Sequence, residues 1–295
     1  MELKTINLTK QFGNFTAVDH LNLSMTGGVY GLLGINGAGK TTLMRMLCTL
    51  LSPTKGTITF NGEDIFRMGA DYRKILGYLP QDFGFYPEFT VKEYLLYIAS
   101  LKGIRPAVAK KRVKDLIDGV GLAKNADKKM KKLSGGMKRR AGIAQAMLND
   151  PKILILDEPT AGLDPNERIR FRNLISELSE NRMVLLSTHI VSDVEYIAGK
   201  IWLMKDGKLL HQGTSQELIA SMEDRVWKCF VSREQVPEIL KTFRVANIKA
   251  EARGAELRVI SKERPFPDAV EEEAGLEDVF LYYFGERGGE ENAAL

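Results

Sequence analysis

The chain has 295 residues, of which 44% are hydrophobic, 27% charged and 8% aromatic. This composition is typical of an ordinary globular protein and excludes the disordered, fibrous and membrane-embedded classes, while the length favours one main domain with a smaller second unit. The net charge of +4 is too small to predict a nucleic-acid partner by itself.

Cysteine content and apolar runs indicate the cellular setting. Cys48 and Cys229 lie far apart and form no Cys-x-x-Cys pair, so the sequence predicts neither a disulfide framework nor a cysteine zinc site. The N-terminal MELKTINLTK has no apolar run, so we expect no secretory signal. The longest uncharged stretch, residues 21–39, contains six glycines and cannot form a spanning helix. We therefore expect a cytoplasmic protein whose membrane role would depend on a partner.

The first part of the chain predicts short antiparallel strands followed by a change of pattern. Residues 2–12 and 17–25 alternate between apolar and polar side chains, as strands of a flanking sheet do. The run VYGLLG (29–34) is typical of a buried strand, and it leads through a glycine-rich loop into a helical segment at 41–51. Two further apolar strands, 153–157 and 183–187, alternate with helices, which predicts a parallel sheet covered on both faces.

Residues 91–150 are mostly helical in pattern, with turn signals between the helices, and predict an inserted helical subdomain. Part of this segment is strongly basic, because residues 102–140 contain 14 Lys or Arg against three Asp. A solvated face is one interpretation of the basic segment. Attraction to anionic lipid headgroups or to an acidic partner is the other.

The C-terminal part predicts a separate small unit. Residues 201–213 form two strand patterns around Asp206-Gly207, which is a strong hairpin signal. We expect a first domain over 1–220 and a small α+β accessory domain over 221–295, whose tail, GGEENAAL (288–295), is expected to be disordered. The apolar stripe near 279–284 either docks this unit on its own core or helps two chains associate.

The segment GINGAGKTT matches the phosphate-binding pattern G-x-x-x-x-G-K-[ST] and lies between a predicted strand and a predicted helix. Its glycines let backbone amides wrap phosphates, and the helix N-terminus adds partial positive charge. Lys40 is expected to reach the β- and γ-phosphate oxygens, and Thr41 to supply a hydroxyl for Mg²⁺. The candidate ATP-binding residues here are Gly34, Asn36, Gly37, Ala38, Gly39, Lys40, Thr41 and Thr42.

A second nucleotide element follows the strand ILILD. The strand delivers Asp157 to the outer shell of the metal, and Glu158 is then placed as general base for the attacking water. An Asp-Glu pair at a strand end is often only a turn, but the preceding phosphate loop makes the catalytic interpretation the stronger one. Together the two elements predict an ATPase that uses Mg²⁺.

The segment LSGGM (133–137), followed by a helical run, makes the resemblance to a known family specific. The chain resembles the nucleotide-binding subunits of ABC transporters over residues 1 to about 220. The motifs occur in the family's order: the phosphate loop 34–42, YLPQ with Gln81, LSGG at 133–136, Asp157-Glu158, AGLD at 161–164, and STHI with His189. The implied fold is an α/β P-loop NTPase core with a parallel sheet, an antiparallel β flank and an inserted helical subdomain.

The resemblance implies further roles. Gln81 would contact Mg²⁺ and the attacking water, and His189 would contact the γ-phosphate and orient that water. Asp164 would shape the dimer seam, and Phe12 would stack on adenine. The signature residues Ser134, Gly135 and Gly136 would bind the γ-phosphate of ATP held by a second subunit, so hydrolysis would need two chains. Met137 departs from the glutamine usual in the family, but the phosphate-contacting residues are retained, and we expect an active ATPase.

Beyond residue 220, the ending LEDVFLYYFGE is similar to that of the exporter branch, in which an ATPase subunit pairs with a separate transmembrane permease. We therefore expect a homodimer or heterodimer of ATPase subunits, peripheral on the cytoplasmic face of the membrane, that powers efflux of a drug, antibiotic or peptide. A soluble ATPase of the same type acting on nucleic acid or the ribosome is an alternative, although this chain has one phosphate loop and no long insertion. A nucleotide-gated module without turnover is a third hypothesis.

Overall fold

The structure is a computed structural model that describes residues 1–285, so the predicted disordered tail, 288–295, lies outside the described residues. The chain separates into two compact units, Met1–Leu210 and His211–Leu295. The boundary predicted from the sequence lies slightly later, after residue 220. Within residues 1–285, every helix is too short or too polar to cross a bilayer.

The first unit contains two sheets and eight helices among the described residues. Its elements are β1 (Leu3–Phe12), β2 (Phe15–Met25), β3 (Gly28–Leu33), α1 (Lys40–Leu47), β4 (Lys55–Phe60), β5 (Glu63–Asp64), α2 (Ile65–Met68), α3 (Ala70–Lys74), β6 (Leu76–Leu79), α4 (Val91–Leu101), α5 (Pro106–Gly119), α6 (Gly135–Met147), β7 (Ile153–Leu156), α7 (Pro165–Leu178), β8 (Met183–Thr188), α8 (Val191–Glu195), β9 (Lys200–Lys205) and the start of β10 (Lys208–Gly213).

The central sheet has the strand order β10-β9-β3-β8-β7-β6, and β6, β7, β8, β3 and β9 run parallel. Every residue of β7 and β8 is buried, which fits their continuous apolar sequences, because a parallel sheet is covered on both faces. The predicted α/β class with a parallel sheet is confirmed. Parallel strands end at one edge, so the residues that follow β3, β7 and β8 are brought together there.

The antiparallel flank, with the order β2-β1-β4-β5, is the second sheet of this unit. Its β1 and β2 pair from Leu3 opposite Met25 to Phe12 opposite Phe15. The main core lies between the two sheets and around α1, and it includes Leu43 and Met46 of α1. The Tyr30 and Trp202 rings pack in this core with their centroids 5.2 Å apart.

Three helices, α4, α5 and α6, lie between β6 and β7 in the chain and pack on one another. Thr90 begins α4 with a capping box, in which its hydroxyl accepts from the Glu93 amide and the Glu93 carboxylate accepts from the Thr90 amide. Ser134 caps α6 by accepting from the Met137 amide at 3.2 Å. The LSGG segment therefore opens a helix, as its sequence predicts.

The hairpin predicted at Asp206-Gly207 is present between β9 and β10. Both residues have positive φ, +49° and +77° respectively. A two-residue hairpin turn needs this backbone conformation at both positions, because it matches the right-handed twist of the flanking strands.

The second unit is an antiparallel sheet with helices. Its elements after β10 are α9 (Ser215–Ala220), β11 (Arg225–Val231), α10 (Val236–Thr242), β12 (Arg244–Glu251), β13 (Gly254–Ser261), β14 (Val270–Glu272) and α11 (Leu276–Phe284), with the strand order β12-β13-β11-β14.

Strand alternation in this unit separates an apolar core from an ionic cluster. Trp227, Cys229 and Val231 of β11 are buried in a small core. Arg258 of β13 donates to both carboxylate oxygens of buried Asp278 at 2.9 and 2.8 Å, and so ties the sheet to α11. The α11 side chain of Val279 is fully buried. Val279 of the predicted apolar stripe therefore packs against other residues of the chain between 1 and 285.

A glycine on β6 gives a stability prediction. A Cβ added at Gly77 would lie 2.5 Å from the backbone oxygen of Ala146, which cannot rotate away. We expect Gly77→Ala to lower the free energy of unfolding by about 1–3 kcal/mol, the usual cost of overpacking. Urea denaturation of the full chain measures this. Gly27→Ala is the matched control, because nothing lies within 4 Å of its added Cβ. Equal stability of the two variants would contradict the close approach.

Candidate functional site

The glycine-rich loop joins β3 to α1 in a tight path. Gly37 and Gly39 have φ of +83° and +100°, which other residues rarely adopt. A Cβ at Gly39 would lie 2.2 Å from the Ala17 carbonyl oxygen, and one at Gly34 would lie 2.3 Å from that of Met204. The loop therefore lies directly against the backbone of two strands. Helix α1 begins beside this loop, and its first turn includes the backbone amides of Thr41 and Thr42.

Lys40 is buried at the start of α1, with 6% of its surface exposed. Its Nζ donates to the carbonyl oxygens of Gly34 at 2.7 Å and Ile35 at 3.1 Å, and lies 3.4 Å from Glu158 Oε1. A buried ammonium needs such partners, because an isolated charge is strongly disfavoured away from water. The ammonium group is thus held between the loop and the end of β7.

A cavity of about 410 Å³ lies beside this loop, within the size range of small-molecule sites. Its lining is mainly polar and includes almost the whole predicted phosphate loop. The residues are Phe15, Ala17, Asn36, Gly37, Ala38, Gly39, Lys40, Thr41, Thr42, Gln81 and Glu158.

Asp157 and Glu158 follow β7 and are both buried. The Glu158 backbone lies in the left-handed region at φ +45°, which costs an L-residue roughly 1–2 kcal/mol. Its amide donates to Ser187 Oγ at 2.9 Å, and Ser187 Oγ donates to Asp157 Oδ1 at 2.7 Å. Strained backbone held by buried hydrogen bonds is common at functional sites.

His189 follows β8 and joins the same cluster. Its Nδ1 lies 3.0 Å from Glu158 Oε2, and its side chain is partly exposed. The other oxygen, Glu158 Oε1, faces Lys40. One buried carboxylate therefore contacts both Lys40, which follows the loop after β3, and His189, which follows β8. The structure thus brings together Lys40, Glu158 and His189, which the sequence places far apart.

Gln81 lines the cavity from the segment after β6. Beside it, the Arg139 guanidinium of α6 donates to the Pro80 carbonyl at 3.4 Å. Burial lowers the pKa of Arg139, while the charges of Asp82, Asp157 and Glu158 oppose that effect. This contact joins α6 to the segment that carries Gln81.

Ser134, Gly135, Gly136 and Asp164 are not among the described residues that line the cavity. Asp164 caps α7 by accepting from the Glu167 amide at 2.9 Å. The Glu167 carboxylate lies against Gly136, so that an added Cβ there would meet its Oε2 at 2.6 Å, and Arg140 lies 3.3 Å from the same oxygen. The LSGG and AGLD segments are therefore connected through Glu167.

Phe12 does not line the cavity, whereas Phe15 does. The two residues pair across the β1–β2 turn and are 48% and 63% exposed. The predicted adenine contact of Phe12 stays a prediction. Phe15 is a candidate that the sequence analysis missed, although its position three residues later in the same turn was a signal for it.

The chemistry of the donor set fits a Mg²⁺ ion. Asp157 Oδ2 is buried without a hydrogen-bond partner among the described residues, and a buried carboxylate oxygen of this kind suits a metal ion. Thr41 and Gln81, whose side chains carry oxygen atoms, line the cavity next to Glu158, and Mg²⁺ prefers oxygen ligands together with substrate phosphates. In residues 1–285, no group of three or more His, Cys, Asp or Glu side chains is placed to hold a metal.

The basic segment 102–140 is only partly paired. Glu88 accepts from Lys129 at 2.9 Å and Lys131 at 2.6 Å, and these hydrogen bonds lower the pKa of Glu88 to about 2. Lys110 and Lys114 of this segment instead border a second cavity of about 520 Å³, together with Lys92 from outside the segment. Apolar side chains also line this cavity, and so do Asp118 and Asp127.

Comparison with known proteins gives concordant findings. A family model described as "ABC transporter" matches residues 18–161. A bacitracin transport ATP-binding protein of Bacillus licheniformis is 41% identical over 71% of this chain and 69% of its own length. A Nod factor export ATP-binding protein of Burkholderia lata is 39% identical over 73% of this chain and 71% of its own. A dimeric bacterial ABC transporter cassette matches in structure with a TM-score of 0.65 and 25% identity, over 72% of this chain and 98% of that one.

The two aromatic residues can be separated by nucleotide binding. We expect Phe15→Ala to weaken binding of ATP by about tenfold or more, since a base–aromatic stack is worth about 1–3 kcal/mol. Fluorescence anisotropy with a labelled ATP analogue measures the affinity. Phe12→Ala is the comparison variant and should weaken binding less. A larger loss of ATP affinity in Phe12→Ala than in Phe15→Ala would instead support Phe12 as the residue that contacts adenine.

Proposed function

The chain belongs to the ABC transporter family as an ATP-binding and ATP-hydrolysing subunit, and on this basis we propose how its residues act and what the hydrolysis drives. The observation that carries the proposal is the buried contact of Glu158 with both Lys40 and His189 beside the glycine loop. A carboxylate, an ammonium group and an imidazole beside a glycine-rich phosphate loop suit phosphoryl transfer to water.

ATP binds with its phosphates along residues 34–42. The backbone amides of the loop and of the first turn of α1 donate to phosphate oxygens. Lys40 then exchanges its hydrogen bonds to the Gly34 and Ile35 carbonyls for the β- and γ-phosphate oxygens. Because Lys40 is already buried and oriented, little side-chain entropy is lost on binding.

Hydrolysis requires a base beside the γ-phosphate. Glu158 accepts the proton of the attacking water, since its carboxylate borders the cavity and faces His189. His189 orients Glu158 through Nδ1, and Gln81 positions the water from the opposite segment. Mg²⁺, held by Thr41, Gln81 and Asp157, would neutralise charge on the phosphates.

The signature residues Ser134, Gly135 and Gly136 contact the ATP of a second subunit rather than that of their own chain. Support comes from their position outside the cavity and from the dimeric state of the similar cassette. Ser134 begins a thirteen-residue helix, α6, whose N-terminal amides suit a phosphate. Asp164, through its cap on α7 and the Glu167 contact with Gly136, shapes the seam between subunits.

The ATPase dimer, of identical or different chains, drives a separate transmembrane permease from the cytoplasmic face of the membrane. Similarity to a bacitracin transport ATP-binding protein and to a Nod factor export ATP-binding protein supports an exporter. Efflux of a drug, antibiotic or peptide is the proposed activity, and the permease selects the substrate. These relatives favour transport over the alternative of an ATPase acting on nucleic acid or the ribosome.

Replacing the base separates binding from turnover. We expect Glu158→Gln to bind ATP with near wild-type affinity but to lose about 10²–10⁴-fold in hydrolysis, because the amide cannot accept a proton. Phosphate release and labelled-ATP binding measure the two steps. Glu63→Gln is the isosteric control on exposed β5 and should hydrolyse normally. Near wild-type phosphate release from Glu158→Gln would reject the assignment and leave the non-hydrolysing module open.

A shared site predicts a defect in association. Ser134→Arg in the Glu158→Gln background should bind ATP as a monomer but form no ATP-dependent dimer, because the arginine would obstruct the second phosphate contact. Light scattering with and without ATP measures the dimer. Ser176→Arg, which adds the same charge at an exposed site on α7, is the matched control. Unchanged dimers of the Ser134 variant would contradict the shared site.

A further inference from the structure

Ser187, near the end of β8, contacts both acidic residues of the site. It belongs to the STHI segment, but in that segment the sequence predicted a role only for His189. The side chain is fully buried. Its hydroxyl donates to Asp157 Oδ1 at 2.7 Å and accepts from the Glu158 amide at 2.9 Å. A serine hydroxyl has one proton to donate, so its single donor position is committed to Asp157.

The orientation of the Asp157 carboxylate depends on this hydroxyl. The Asp157 backbone is anchored independently, because its amide donates to the Leu79 carbonyl at 2.9 Å. Of the two carboxylate oxygens, Oδ1 accepts from Ser187, and Oδ2 is buried with no hydrogen-bond partner in the described part of the chain. Ser187 therefore determines which oxygen of Asp157 remains available to a cation.

The backbone of Glu158 depends on the same hydroxyl. Its φ of +45° is unusual for a residue with a side chain, and the Ser187 oxygen accepts its buried amide proton. The carboxylate of Glu158 then contacts Lys40 and His189 from this backbone position. Without an acceptor, the amide would be buried and unsatisfied, which favours a shift of the backbone.

We propose that Ser187 is a positioning residue that presents Asp157 Oδ2 to Mg²⁺ and holds Glu158 in place for hydrolysis. The proposal rests on the proposed function of the site. Residues that hydrogen-bond to metal ligands typically change metal affinity or activity by about 10–100-fold when they are replaced. A purely structural serine would change stability without changing the dependence on Mg²⁺.

The matched control for a structural role is Thr5 of β1. Its buried hydroxyl also donates one hydrogen bond, to the Leu21 carbonyl at 3.0 Å, and accepts one, from the Leu23 amide at 2.9 Å. Thr5 is not among the residues that line the cavity. Thr5→Val removes the same number of hydrogen bonds as Ser187→Ala, and does so between two strands of the antiparallel flank.

The experiment measures binding of a labelled ATP analogue to the full chain over a Mg²⁺ titration and in EDTA. We expect Ser187→Ala to need about tenfold more Mg²⁺ for half-maximal enhancement of binding, while its affinity in EDTA stays within about twofold of wild type. Its kcat should fall by about 10–100-fold. Ser187→Thr, which keeps the hydroxyl, should recover the wild-type Mg²⁺ dependence.

Ser187→Cys provides a second test if the alanine variant does not fold. A thiol has a similar volume but is a weak hydrogen-bond donor, so the same shift in Mg²⁺ dependence is expected. An unchanged Mg²⁺ dependence in a folded Ala or Cys variant would overturn the proposal. So would an equal shift in Thr5→Val, because the effect would then follow from stability alone.

Failure of the proposed function gives a different result from failure of this inference. If wild-type protein neither binds nor hydrolyses ATP, the assignment of the site itself is wrong. If the wild type is active and Mg²⁺-dependent but the Ser187 variants match it, only the positioning role is wrong.

Discussion

The site depends on one buried carboxylate, Glu158, that is shared between the Lys40 ammonium group and the His189 imidazole. Each of these three residues follows a different strand of the parallel sheet. Parallel strands end at one edge, so the sheet brings Lys40 next to two residues that lie more than a hundred positions further along the chain. Burial makes this arrangement costly to disturb, because a charge left without a partner inside the protein is strongly disfavoured. The ion pair thereby fixes the phosphate loop against the end of β7.

Close backbone packing supports that cluster. Gly34 and Gly39 approach the carbonyl oxygens of Met204 and Ala17 so closely that no side chain fits at either position. The loop is thus held between the central sheet and the antiparallel flank. The flank therefore helps to fix the position of the phosphate loop. Glu158, with its left-handed backbone, is held in the same way by hydrogen bonds to Ser187. Rigidity of this kind lowers the reorganisation needed when phosphates bind.

The helical segment contributes to the site by contacts rather than by lining the cavity. Arg139 of α6 reaches the Pro80 carbonyl next to Gln81, and Glu167 of α7 lies against Gly136. Helix α6 is therefore connected both to the segment that carries Gln81 and to α7. In the second unit, the Arg258 and Asp278 pair fixes α11 to its own sheet, so that this unit has an independent core and ionic cluster.

The sequence by itself determined the phosphate loop, the Asp157-Glu158 pair and the α/β class, because each follows from a local pattern: a glycine spacing, an apolar strand or an alternation of elements. It also determined the hairpin at Asp206-Gly207, since only such residues adopt two positive φ angles easily. The tertiary structure alone decided that Phe15 rather than Phe12 lines the cavity, and that Ser187 contacts both acidic residues. It also placed the boundary between units at 210. These features depend on contacts between distant segments. The contacts of one hydroxyl group or one aromatic ring leave no local sequence pattern from which they could be predicted.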